Sequence, residues 1–235
     1  MPKAAVASPP RALTAEALRA ALPFPTDPDF AEEVVEDFRS EELPGVEEAD
    51  LVAVLAEFWR FAEERWGEKP ALRIRRAKGE GGRDLASDLL EIVQPDAPFL
   101  VDTIMGEAAE AGAEVRAMFH PVIEREEGRG KERRSLIQVW LAPLAPERGR
   151  LLIERIGEAL GDVRTAVADF PAMRALMART IAELAAAAPG DPAHLAEDLA
   201  FLAWMDKGHF VFLGARSYDY PRTSEGGYAA EEPLV

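Results

Sequence analysis

The run from Asp88 to Trp140 constrains the fold of this chain more than any other. It reads DLLEIVQPDAPFLVDTIMGEAAEAGAEVRAMFHPVIE, then a charged loop, then RRSLIQVWL. Leu89–Gln94 is a short apolar, β-favouring segment that ends at Pro95 and Pro98, neither of which can continue a paired strand. Leu100, Ile104, Ala108 and Ala111 then recur at helical spacing, with Pro98 at a tolerated first-turn position and Gly112 placed for a C-terminal cap. Val115, Ala117 and Phe119 alternate with polar or outward residues, as do Ile137, Val139 and Leu141 with Leu136, Gln138 and Trp140. These spacings predict two further strands joined by a polar loop from Glu124 to Arg134.

Leu152, Ile153, Ile156, Ala159 and Leu160 predict a second helix ending near Gly161, and Val163, Thr165 and Val167 offer a short alternating run. Val163, Val167 and Phe170 also suit a helix that simply continues. With the strand, the order is βαββαβ, a ferredoxin-like α+β domain with an antiparallel sheet and two helices on one face. In this register the helices cover Leu90, Ile92, Val115, Phe119, Ile137 and Val139. Leu89, Val93, Met118, Leu136 and Trp140 are then left on the other face, and a soluble domain seldom leaves such a cluster wet. A preceding helix or another chain must cover it.

Four strings, EIVQPDAPFLVDTIMGEAAEAG with the FHPVI that follows, VRTAVADFPAMR and GHFVFLG, resemble the amino-terminal region of the large bacterial NAD-specific glutamate dehydrogenases. The similarity runs over roughly Asp29 to Tyr220 and keeps motif order and spacing. It implies an ACT-like regulatory domain flanked by helical segments, and a catalytic domain many hundreds of residues further on. No catalytic residue of the family therefore falls on this chain. NAD would belong to the full-length enzyme, which oxidises L-glutamate to 2-oxoglutarate and ammonia. The implied partners are the rest of the dehydrogenase chain, other subunits and an amino-acid effector. The alternative is a self-standing amino-acid-sensing or protein-interaction domain of the same fold, because fold does not set function.

The expected layout is a disordered tail over 1–12, a helical prelude over 13–68, the ACT-like domain over 70–170, a helical segment over 171–208 and the start of a β element over 209–235. In the prelude, Thr14 opens a short helix to Ala21, Asp29 opens a second, and Leu51, Val54, Leu55, Phe58 and Phe61 form the apolar stripe of a third. Near the other end, His209–Tyr218 alternates in the manner of a strand.

The chain has 43 acidic against 27 basic side chains and a formal net charge of −16, so its surface repels phosphate backbones and anionic lipid heads. Nucleic acid and membrane are poor partners for it, and a cytoplasmic location is the simplest expectation. The absence of cysteine excludes disulfides and thiolate chemistry. Arg73, Arg75, Arg76, Lys78 and Arg83 form one basic cluster beside a predicted strand Ala71–Arg76. It serves either as an anion or partner site, or as a charged edge and a counter-charge to the acidic helices.

No glycine-rich phosphate loop, metal-binding histidine spacing or nucleophile elbow is present. His120, Asp102 and Ser135 can be drawn as a triad, but so can three common residues of any chain this long. The loop Pro95–Asp102 is the candidate effector site, with Asp96, Phe99 and Asp102 as its residues. A helix N-terminus there would receive the carboxylate of an amino acid and an aspartate its ammonium group, with Phe99 sheltering the ligand. The competing reading is that Asp96 caps the helix and Asp102 favours its first turn.

Overall fold

The computed structural model describes residues 14–22, 28–40, 43, 45–67, 69–127, 130–188, 190–218 and 220. The expected tail over 1–12 and the segment after Tyr220 lie outside them. The chain divides into a first unit ending at Leu160 and a second beginning at Gly161.

The first unit opens with three helices, α1 (Ala15–Ala21), α2 (Pro28–Ser40) and α3 (Glu48–Glu64). Strands β1 (Ala71–Lys78) and β2 (Asp84–Pro95), helix α4 (Leu100–Glu110), and strands β3 (Val115–Phe119), β4 (Val122–Glu127) and β5 (Gly130–Leu141) follow, and α5 begins at Pro146. The sheet is antiparallel with the order β1-β2-β5-β3, and β4 pairs with the other half of the β5 edge that carries β3.

The α+β, ACT-like class with flanking helices is what the chain forms, but one expected element is absent. The run Asp162–Ala168 is not a fourth strand; it lies within α5 (Pro146–Ala187). There Thr165 Oγ1 donates to Gly161 O over 3.1 Å, a helical back-bond to the fourth residue before it. In a ferredoxin-like sheet the last strand sits beside the first, and here that place next to β2 is already filled by β1 from the other side of the sequence. The expected polar loop Glu124–Arg134 is also mostly strand, since β4 and β5 pair from Val122↔Ser135 to Glu127↔Gly130.

Each face of the sheet has its own core. Leu90 and Ile92 of β2 share a face with Ile137 and Val139 of β5, and all four are buried with Leu100, Ile104 and Ala108 of α4 and Leu152, Ile156 and Leu160 of α5. A Cβ on Gly149 of α5 would lie 3.7 Å from Ile74 of β1, which pairs with Leu90, so α5 covers this face. Helix α4 is bound to α5 through Arg155, which donates to Glu107 over 2.8 Å and Glu110 over 2.6 Å. Gly112 (φ 61°) ends α4: its N–H bonds Ala109 O and that of Ala113 bonds Ala108 O, a Schellman turn.

The opposite face carries Leu89, Val93, Leu136 and Trp140, all buried in one cluster with Leu18, Phe30, Val34, Leu51, Leu55, Phe58 and Trp59 of the three leading helices. The chain's own prelude covers this face. Met118 and Phe119 are exchanged relative to the sequence register: Phe119 pairs with Gln138 and joins this cluster, whereas Met118 pairs with Val139 on the other face. The cause is a bulge between Val115 and Ala117, because one extra residue in a period-2 strand flips every side chain beyond it.

In the second unit the rest of α5 is followed by α6 (Pro192–Trp204), capped by Asp191, whose carboxylate accepts from Ala193 N over 2.8 Å. Gly208 (φ 88°) ends the wider turn Met205–His209. The expected strand His209–Tyr218 has no ladder; among the described residues only Ser217 is in a bridge. Alternating sequence supplies strand propensity, but a strand exists only where its N–H and C=O groups find partners.

Candidate functional site

The connection from β2 to α4 lies where the sheet opens beside a helix N-terminus. Gln94 and Pro95 are the last residues of β2 and pair with Ser135 and Arg134 of β5. Proline supplies no donor and the ladder stops. Asp96 N–H then donates to Arg133 O over 3.0 Å, and its carboxylate accepts from Ser135 Oγ over 2.8 Å and pairs with Arg133 Nη2 at 3.2 Å. Asp96 is thus held by β5 and does not cap α4. The N-cap is Phe99, left-handed at φ 69° and 47% exposed, with no side-chain cap bond. A left-handed phenylalanine is a strained conformation of the kind that gathers at functional loops. Asp102 lies exposed in the first turn of α4.

One residue here was missed by the sequence reading. By pleat parity Gln94 shares the face of Leu90 and Ile92, under α4, and it is 1% exposed. Its Nε2 and Oε1 both lack a hydrogen-bond partner. The signal was present as a polar residue two positions beyond Leu90 and Ile92 on the same face of the strand. Ser135, drawn above into a triad, instead gives its hydroxyl to Asp96. The connection therefore carries a helix start without a side-chain cap and the exposed Asp102 carboxylate, while Gln94 at the strand end is enclosed. None of these groups is an activated nucleophile.

The basic cluster has a different fate. Arg73 Nε donates to Glu91 over 2.6 Å, Arg75 Nη2 to Glu91 over 2.8 Å, and Gln138 Nε2 to Glu91 over 2.8 Å, while Gln138 Oε1 accepts from Trp140 Nε1 over 3.1 Å. Both arginines also reach α3, through Val54 O, Glu57 O and the Glu57 carboxylate. Arg76 and Lys78 pair with Asp84, and Arg83 pairs with Asp50. These five side chains are counter-charges at a sheet edge. Asp84 is held well below the usual carboxylate range, first by Arg76, then by the Ala86 N–H and Lys78.

Among the described residues no group of three His, Asp or Glu side chains is placed to hold a metal ion, and no helix is long and apolar enough to cross a membrane.

Residues 30–144, from α2 to the end of the sheet, match the family described as "Glutamate dehydrogenase, ACT1 domain". This chain belongs to the NAD-specific glutamate dehydrogenase family, in its amino-terminal, ACT-like region. It is 28% identical over 216 residues to the NAD-specific glutamate dehydrogenase of Pseudomonas aeruginosa, a match covering 84% of this chain and 13% of that protein. With the enzyme of the same name from Halomonas elongata the identity is 32% over 193 residues, covering 72% of this chain and 12% of that protein. The chain thus spans about an eighth of the length of these relatives. The connection Asp96–Phe99 before α4 contains no glycine, so the backbone cannot approach a pyrophosphate as a dinucleotide turn does.

Proposed function

We propose that this chain is a regulatory and assembly module of a cytoplasmic NAD-dependent glutamate dehydrogenase, and that the loop Pro95–Asp102 receives an amino-acid effector. The enzyme as a whole converts L-glutamate and NAD to 2-oxoglutarate, ammonia and NADH, and its other subunits and the rest of its chain are the module's partners. What carries the reading is the ACT1 match over a fold whose β2–α4 connection holds a helix start with no side-chain cap and an exposed carboxylate in its first turn. The effector's carboxylate sits on the α4 N–H groups and its ammonium on Asp102, with Phe99 over the ligand. Assembly is supported by the second unit, where Phe201, Trp204, Phe210, Val211 and Leu213 are exposed and Met173 is the one buried hydrophobic among the described residues.

Calorimetric titration of the chain with a panel of amino acids tests the site. Asp102→Ala is expected to weaken binding about ten- to a hundredfold, the worth of one charge-assisted hydrogen bond, without loss of fold. Unchanged affinity in that variant places the effector elsewhere. In a whole enzyme carrying the module, Asp102→Ala is expected to shift the effector's influence on the rate to about ten- to a hundredfold higher concentration and leave the effector-free rate intact. A self-standing sensor would show the first result and not the second. The chain alone is expected to give no NAD binding and no glutamate oxidation, and saturable micromolar NAD binding would contradict this.

A further inference from the structure

We propose that Phe210–Leu213 is a strand without its sheet, and that it docks by strand addition into a sheet supplied by a part of the dehydrogenase polypeptide outside these 235 residues. This rests on the reading of the chain as a module of a larger enzyme, and it adds the place and the kind of contact.

The second unit is short of a core. Among its described residues Met173 alone is a buried hydrophobic, while Phe170, Phe201 and Trp204 of its helices stand exposed. Phe210, Val211, Phe212 and Leu213 follow, and four apolar residues in a row, mostly β-favouring, suit a strand covered on both faces. Phe210 leaves the turn at Gly208 with extended backbone, φ −131° and ψ 149°. Pleat parity puts Phe210 and Phe212 on one face, and that face already meets the helices. The rings of Phe210 and Trp204 meet T-shaped with centroids 5.3 Å apart, and those of Phe212 and Phe170 are 6.4 Å apart. Val211 and Leu213, on the other face, are 56% and 78% exposed. Among the described residues no ladder pairs Phe210–Leu213. The helices thus form one layer and the segment begins a second, with one face and its backbone N–H and C=O groups open.

A second copy of this chain does not offer the missing sheet. The outer strands of the first unit are β1, which carries Arg73, Arg75, Arg76 and Lys78, β4, which carries Glu124, Arg125, Glu126 and Glu127, and β3, five residues long and bulged. Charge, shortness and bulges are the features that keep sheet edges from pairing. Two copies joining their own Phe210–Leu213 segments make a two-stranded ribbon, which is marginal by itself in water. The match to this chain takes up 13% of one relative and 12% of the other, so most of each is polypeptide from which a sheet can come. In strand addition the main chain supplies the hydrogen bonds and alternate side chains fill the recipient's faces, which is what Val211 and Leu213 lack.

Hydrogen exchange over residues 209–216, read by mass spectrometry, compares the isolated chain with a whole enzyme carrying it. The amides of Val211–Leu213 are expected to exchange at open-chain rates in the isolated chain and about a hundredfold or more slowly in the enzyme. Val211→Pro and Phe212→Pro remove N–H groups that point to opposite edges of the strand, so at least one is expected to return the segment to open-chain rates in the enzyme. Val211→Thr keeps the N–H and the β-branched shape and is expected to leave the protection in place. Protection in the monomeric isolated chain would show that the strand is completed within these residues, and protection that rises with concentration would assign it to a second copy. Open-chain rates in the enzyme would show that no sheet receives it, and protection surviving both proline variants would show a cover without a ladder. Each of these four results overturns the inference, and the effector reading is decided separately by the Asp102→Ala titration. Where the proline variants fail to fold, the comparison of wild-type chain and enzyme decides.

Discussion

Arg73 of β1 and Glu91 of β2 stand opposite each other in the antiparallel ladder, and Arg73 Nε donates to Glu91 Oε2 over 2.6 Å. Glu91 is fully buried, and Arg75 and Gln138 bind it as well. Its charge is balanced inside the interface between the sheet and α3, where Glu57 completes the set.

Removing one partner of such a group leaves the others buried and unpaired. Glu91→Ala is expected to cost about 3 kcal/mol or more, the range for breaking a buried ion pair from one side. Urea denaturation measures it. A loss under about 0.5 kcal/mol would show that water replaces the carboxylate at no cost.

Trp140 is fully buried against the leading helices, with its indole N–H on Gln138. Trp140→Ala is expected to cost about 3–5 kcal/mol through the cavity it leaves. Denaturant unfolding with an unchanged midpoint would mean that the helical layer does not depend on this residue.

Gly79 has an ordinary backbone angle, but a Cβ there would lie 2.1 Å from Asp50 Oδ1. Asp50 cannot give way, since it accepts from the N–H groups of Glu47 and Glu80 and pairs with Arg83. Gly79→Ala is therefore expected to destabilise by about 1–3 kcal/mol, as overpacking does. A melting temperature equal to wild type would show that this corner is loose.

Asp84 stays ionised below its ordinary value of 3.8, chiefly through its hydrogen bond from Arg76. A depressed folded pKa contributes stability above the unfolded pKa, and that contribution is lost as pH falls through the folded value. The expected result of a carboxyl NMR titration is a midpoint below 3.8 that returns to the ordinary value in Arg76→Gln. A wild-type midpoint at 3.8 would mean that solvent screens the pair completely.

Local pattern was enough for the elements whose periodicity had one solution. The apolar stripe of α3, the break at Pro95, the Gly112 cap and the inward residues of β2 and β5 all follow from spacing and turn chemistry within a few residues. The same local reading identified Leu136 and Trp140 as needing a cover. It did not reach what depends on neighbours distant in sequence. Val163–Val167 suits helix and strand alike, and the matter was decided by β1 occupying the slot beside β2. The bulge after Val115, which sends Phe119 rather than Met118 to the leading helices, is set by pairing with β5. Glu91 read as one more acidic residue until the sheet placed two arginines on it, and Gln94 read as a strand end until its amide was enclosed without a partner. Propensity and period act over one or two turns of chain; the partners of a buried polar group are chosen only when remote segments close around it.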